Sequence, residues 1–240
     1  MGKDLLIQKN FLGVMDVLLP LGLAIAVSMT YYYSNQYSIK KEKGKRILSF
    51  SAGVAIVYIL LELFPVFTEG ALGISKLVFL SIPGGFIIHH IIEKEIYTHN
   101  RRHELIRMLS LEENVFSFVY HMIIGMVIVF FIRGGLIEGF LFFVPVGLYT
   151  FLSMLPASPH RSRWKAIVLS SSTLIGTVLA ILFWDWIPVW FEFVLVGLAI
   201  GVLLFTVIRH HIPFGRKGRL GYFTAGFVIY SALIVLSWYI

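Results

Sequence analysis

Apolar residues in this chain come in long unbroken runs, and the charged residues, prolines and glycines fall between them. Eight runs stand out, at about 12–34, 47–67, 75–95, 114–132, 136–156, 164–184, 190–210 and 219–239, with ends uncertain by roughly 2–4 residues. Each approaches the ~20 residues that a helix needs to cross a hydrocarbon core of roughly 30 Å. No period-two alternation divided by turns supports a transmembrane barrel. The pattern predicts an all-α polytopic membrane protein of eight transmembrane helices, with residues 1–240 forming a single transmembrane domain. Only "RGGLIEG" separates the fourth and fifth runs, a connection so tight that they must be antiparallel neighbours. The sixth and seventh meet at "WDWIPVW", whose tryptophans suit a membrane–water interface.

Composition agrees with this pattern. The chain is 58% hydrophobic and 14% charged, with a mean hydropathy of +0.85, whereas a soluble domain carries roughly a quarter charged residues. It has no cysteine, which excludes disulfides and thiolate metal ligands. The start "MGKDLLIQKNF" lacks the hydroxyl residue of a myristoylation signal and a small-residue cleavage site, so the first run is expected to be a retained helix.

Charge adds orientation. Sixteen of the twenty Lys and Arg residues fall in the connections after runs one, three, five and seven: "KKEKGKR", "KEIYTHNRRHELIR", "RSRWK" and "RHHIPFGRKGR". Those after runs two, four and six hold only Lys76 and Arg133. Basic residues are retained in the cytoplasm, so both termini are expected outside, in the plasma membrane. The net charge of +7 is thereby explained without a nucleic-acid partner. The expected partner is the lipid bilayer, with a homodimer among the admissible assemblies.

Runs two and seven echo one another. "SFSAGVAIVYILLELFP" and "VLVGLAIGVLLFTVIRHHIP" each pass from small residues to a Leu-rich body. Each ends with an ionisable residue three positions before a proline, Glu62 before Pro65 and His210 before Pro213. Repeated blocks around a midplane site are a common transporter plan.

With these segments in view, the chain resembles the ZIP family of zinc- and iron-regulated transporter-like proteins over nearly its whole length. "SAGVAIVYILLELFPVF" is similar to that family's second helix, and "GLAIGVLLFTVIRHHIP" to its seventh. The stretch from "GFLFFVPVGLYTFLSMLP" to "SSSTLIGTVLAIL" is similar to its fifth and sixth. The resemblance implies two three-helix blocks around a central pair, a 3+2+3 arrangement, and a divalent metal such as zinc, iron or manganese as the transported substrate rather than a resident cofactor. It also sharpens a departure. Aligning Gly125 with the family's His-Asn-x-Pro-Glu/Asp-Gly places Tyr120 at its histidine, His121 at its asparagine and Ile124 at its acidic position. Aligning Pro145 with the second motif places Phe142, Phe143 and Val146 at its three polar positions. A zinc site wants three or four N, O or S ligands, and carboxylates to neutralise the ion. Among those motif positions only His121 is a strong ligand, with Tyr120 as a weak oxygen donor. The candidate metal set is therefore His121, Tyr120, Glu62 and His210. The expected function is divalent-metal transport through an altered central site, the alternative a non-transporting protein of the same fold with a regulatory or assembly role.

The remaining candidates have plainer readings beside them. His121 suits a ligand, a proton relay, or an imidazole bonded to Ser117 or a neighbouring helix. Ser117, Tyr120, His121 and Ile124 share one helical face with Gly125, so His121 is expected inside the bundle near runs two, five and seven, with Gly147 and Pro145 of run five permitting close approach. Glu62 and His210 lie near the ends of their runs, where a side chain can also snorkel to water. Tyr149, Thr150, Ser153 and Ser170 to Thr173 suit a polar path or, more often in membranes, close packing. His89 and Glu93 share one helical face, as do His99 and His103, a spacing able to hold a metal at a surface. "HNRRH" lacks the glutamate base of a zincin, and Arg101 and Arg102 would repel a cation. No Gly-x-Ser-x-Gly turn is present, so an enzyme is not expected.

The orientation is checked by single cysteines, which the cysteine-free chain makes clean. Ser38→Cys and Thr68→Cys are expected to label from opposite faces of the membrane. Labelling of both from one face contradicts the topology.

Overall fold

A computed structural model describes residues 13–34, 41–99, 102–153, 163–211 and 219–239, and these are helical apart from short turns. In chain order the helices are α1 Val14–Ser34, α2 Lys41–Tyr58, α3 Phe64–Ile74, α4 Ser81–His99, α5 Arg102–Gly134, α6 Leu136–Ser153, α7 Arg163–Ser170, α8 Ser172–Leu182, α9 Val189–Thr206 and α10 Leu220–Ser237. A π-helical segment, Ile59–Leu63, joins α2 to α3, and a second, Val207–His211, follows α9. A 3₁₀ turn, Lys76–Leu80, leads into α4.

Five helical stretches are long and apolar enough to cross a membrane: Val14–Ser34, Lys43–Ile74, Asn114–Gly134, Val189–Arg209 and Leu220–Ser237. Three shorter apolar helices, Lys76–Ile88, Leu136–Phe151 and Ser172–Leu182, fall within the other predicted runs. The sixth run is split at Ser171. The hydroxyls of Ser170, Ser171 and Ser172 each donate to the carbonyl three residues back, at Ile167, Val168 and Leu169. Such back-bonding competes with the helical ladder and bends it.

The stretch around His99 and His103 is more ordered than its charge suggested. Helix α4 runs on to His99 and α5 begins at Arg102, so the charged connection is two helical extensions. At 33 residues, α5 is roughly 50 Å long. The second run likewise continues past its expected end, through Pro65 to Ile74. A proline has no N–H and would break an α-helix here. The chain instead widens by one residue, the Phe64 N–H reaching back to Ile59.

Three helix pairs are drawn together by reciprocal glycines. A side chain at Gly53 would overlap the Phe223 carbonyl of α10, and one at Gly226 the Phe50 carbonyl of α2. Gly201 of α9 meets Ile82 of α4 in the same way, and Gly85 of α4 meets Leu198 of α9. Gly125 of α5 and Gly176 of α8 face Thr173 and Met122. Lipid is as apolar as a leucine surface, so close van der Waals approach is what holds such helices together. Phe50, Gly53, the first π segment and Pro65 repeat as Leu198, Gly201, the second π segment and Pro213, in one constant register. The echo between runs two and seven is thus a repeat of contacts as well as of letters.

Cross-helix contacts sort the termini into two ends. The Arg219 N–H donates to Ser49 Oγ, joining the start of α10 to the middle of α2 at one end. Arg133, at the end of α5, lies over Trp184, just past α8, at the other. Among the described residues, Lys43, Lys45, Arg46 and Arg219 lie toward the first end, and Asp16, Asp185 and Glu192 gather around Arg133 at the second, toward which Glu62, Glu69 and Glu138 also lie along their helices.

The glycine contacts set a stability expectation. Gly125→Leu and Gly53→Leu should each lower the melting temperature of the purified protein sharply, through overpacking of about 1–3 kcal/mol or more. Gly147→Leu should not, because a Cβ there meets nothing within 4 Å.

Candidate functional site

His121 lies on α5 about two turns inside the span that begins at Asn114, roughly 10 Å along the axis. It is 1% exposed. Nδ1 is 2.7 Å from the Ser117 carbonyl and 3.3 Å from Ser117 Oγ. A carbonyl can only accept, so the 2.7 Å contact assigns the ring proton to Nδ1. The Nε2 lone pair then accepts from the hydroxyl of Thr150 on α6, 3.1 Å away and fully buried. Ser117 Oγ also lies 3.1 Å from the hydroxyl of Tyr31 on α1, whose ring meets the imidazole edge-on at 4.9 Å. One neutral imidazole thus ties α5 to α6 directly and to α1 through Ser117. Dry surroundings enforce this, because an unbonded imidazole in hydrocarbon costs several kcal/mol.

The expected neighbours of His121 were helices of the second, fifth and seventh runs; its bonded partners are on the first and fifth. Nothing in the sequence distinguishes Tyr31, because three successive tyrosines near a helix end look like an interfacial belt. The close approach expected at Gly147 is absent, and the tight contact of α5 is made instead by Gly125 with α8. There Thr177 Oγ1 donates to both the Gly125 and Thr173 carbonyls at 3.0 Å. In the run from Ser170 to Thr173, the three serine hydroxyls bond to carbonyls of their own helix and the buried Thr173 hydroxyl has no partner.

Among the described residues, the other candidate ligands do not gather around His121 as a metal shell. Tyr120 points its ring at Tyr149, 5.4 Å away and T-shaped, and its buried hydroxyl has no partner. Phe142, at a motif position expected to be polar, stacks on Phe131 at 5.0 Å. Val146 and Ile124 are buried beside them in the core. Glu62 does not snorkel: it is 8% exposed, in the first π segment toward the acidic end, and the Trp238 side chain hydrogen-bonds to it. His210 occupies the equivalent position of the second π segment. His89, Glu93 and His99 lie on α4 and His103 on α5, but their side chains, like those of His210 and Ser153, lie outside the described residues. Among the described residues no three His, Asp or Glu side chains converge as a metal would require.

A scan against protein-family models finds no match to this chain, and a search of curated proteins finds none either.

Removing either side of the His121–Thr150 bond should cost what interhelical hydrogen bonds in membranes cost, about 1 kcal/mol for His121→Ala or Thr150→Val. Thermal unfolding of the two single variants and the double variant checks it. The double variant should lose less than the sum, since the two share one bond.

Proposed function

We propose that this is an integral membrane protein whose eight apolar helices cross the bilayer in a ZIP-like plan, two three-helix blocks around the central pair α5 and α6. The basic end is cytoplasmic, both termini are outside, and the protein resides in the cell membrane. Its central pair serves as a lock between helices, in a regulatory or assembly role. The observation that carries this reading is that both ring nitrogens of His121 are bonded within the protein, to Ser117 and Thr150. The positions where a ZIP-like centre needs carboxylates and histidines hold Ile124, Phe142, Phe143 and Val146, three of them fully buried in aromatic and aliphatic packing. Support for the eight-helix plan comes from the repeated glycine contacts of α2 with α10 and of α9 with α4.

One observation favours a second reading, transport of a divalent metal such as zinc through an altered site. A backbone carbonyl that holds Nδ1–H is also what orients a metal-ligating imidazole, leaving Nε2 to face the ion. Thr150 would then have to turn its hydroxyl away.

Flux separates the two. Purified protein in liposomes, loaded in turn with dyes for zinc, iron(II) and manganese, should show no uptake above empty liposomes under the lock reading. Uptake of any of the three that His121→Ala abolishes would overturn it in favour of transport.

A further inference from the structure

At the acidic end, around α2, α6 and α10, four oxygen-bearing side chains lie within electrostatic reach of one another that the His121 lock does not use. Tyr58, the last residue of α2, is 0% exposed, and its ring lies 6.0 Å from Phe142 and 6.3 Å from Tyr230. The Tyr230 hydroxyl donates to the Leu141 carbonyl at 2.6 Å, one turn along from Glu138 in the first turn of α6. Tyr58 is therefore directed across the interface at the start of α6. Glu62 follows it by four residues and lies on the same side of the π turn.

The electrostatics here are lopsided. Glu62 feels the Glu138 carboxylate, and among the described residues no basic group offsets it. Arg133, five residues before Glu138, is instead turned to the ring of Trp184, 4.0 Å away, among Asp16, Glu192 and Asp185. The Glu138 carboxylate lies over Gly135 at the start of its own helix, and two carboxylates within electrostatic reach of one another at the edge of a low-dielectric bundle repel. The second, independent sign is the Tyr58 hydroxyl. It is wholly buried, it interacts with both carboxylates, and it has no hydrogen-bond partner. A buried hydroxyl left unbonded is costly.

We propose that Glu62, Glu138 and the Tyr58 hydroxyl form a binding site for a hard cation at the acidic end of the bundle, with Tyr230 and Trp238 holding its walls. A cation there offsets both carboxylates and takes the phenolic oxygen as a ligand. The donors are all oxygen, which suits sodium or calcium; zinc favours the imidazole or thiolate that the cluster lacks. Glu138 is only half-buried, so it forms the entrance. This site is separate from His121 and stands whether or not the central pair is locked.

The test is thermal unfolding of the purified full chain in sodium chloride or calcium chloride, against choline chloride of equal ionic strength. One of the two should raise the melting temperature saturably, by roughly 5 °C at high occupancy. Glu62→Gln should abolish the response and, in choline, melt no lower than the parent protein, because it removes an uncompensated charge. Glu138→Gln gives the same readout should Glu62→Gln not fold, and Tyr58→Phe should weaken the response. A melting temperature indifferent to both cations, or a response that survives in both glutamine variants, overturns the site.

Discussion

Close backbone contact between helices is the constraint on which the rest of this molecule depends. Apolar side chains gain nothing by leaving lipid for one another, so the bundle has to be held by dense packing and by polar groups with few other partners. The three reciprocal glycine pairs, Gly53 with Gly226, Gly85 with Gly201 and Gly125 with Gly176, provide the first of these. Each lets carbonyl and Cα groups of two helices touch where any side chain would hold them apart. Thr177 turns one such contact into a hydrogen bond, donating to Gly125 of the facing helix.

The polar groups follow from the same constraint. Helix α5 is fixed on one side by its glycine contact with α8 and on the other by His121, which reaches Thr150 on α6 and, through Ser117, Tyr31 on α1. With its proton on Nδ1 the ring needs one acceptor and one donor, and it finds both. The serines near α7 and α8 satisfy themselves on their own helix, at the expense of its straightness. The π segments before Pro65 and Pro213 let the chain continue where an α-helix would break. Their matched registers put Glu62 and His210 toward opposite ends of the bundle. At the acidic end the economy fails: Glu62 feels the charge of Glu138, and Tyr58 keeps a hydroxyl without a partner. A central imidazole bonded on both sides and an unbalanced rim imply different roles for the two places.

Much of this was legible in the sequence, and the limits have physical causes. Helix-length apolar runs announce themselves, because hydropathy is a local property, and the described residues are all-helical as the runs predict. The interior position of His121 and its bond to Ser117 follow from a local rule, four residues being one turn. The partners on other helices do not. Tyr31 is 86 residues from Ser117, and nothing near it distinguishes it from Tyr32 and Tyr33. Gly147 and Gly125 read alike, yet only Gly125 faces a neighbouring backbone. The extension of α4 and α5 through "KEIYTHNRRHELIR" was hidden because its charge resembles a loop, although Glu, Lys, Arg and Leu are good helix formers. The significance of Glu62 depended on Glu138, 76 residues away, and on a π turn that no local pattern announces.

The claim that His121 is a neutral bond between helices is tested most directly by nitrogen NMR of histidine-labelled protein in bilayers, with His121→Asn identifying its signals. The account predicts one neutral tautomer, protonated on Nδ1 and accepting a hydrogen bond at Nε2, unchanged by saturating zinc. A Nε2 signal that moves to a metal-bound position on adding zinc, or a proton found on Nε2, would contradict it.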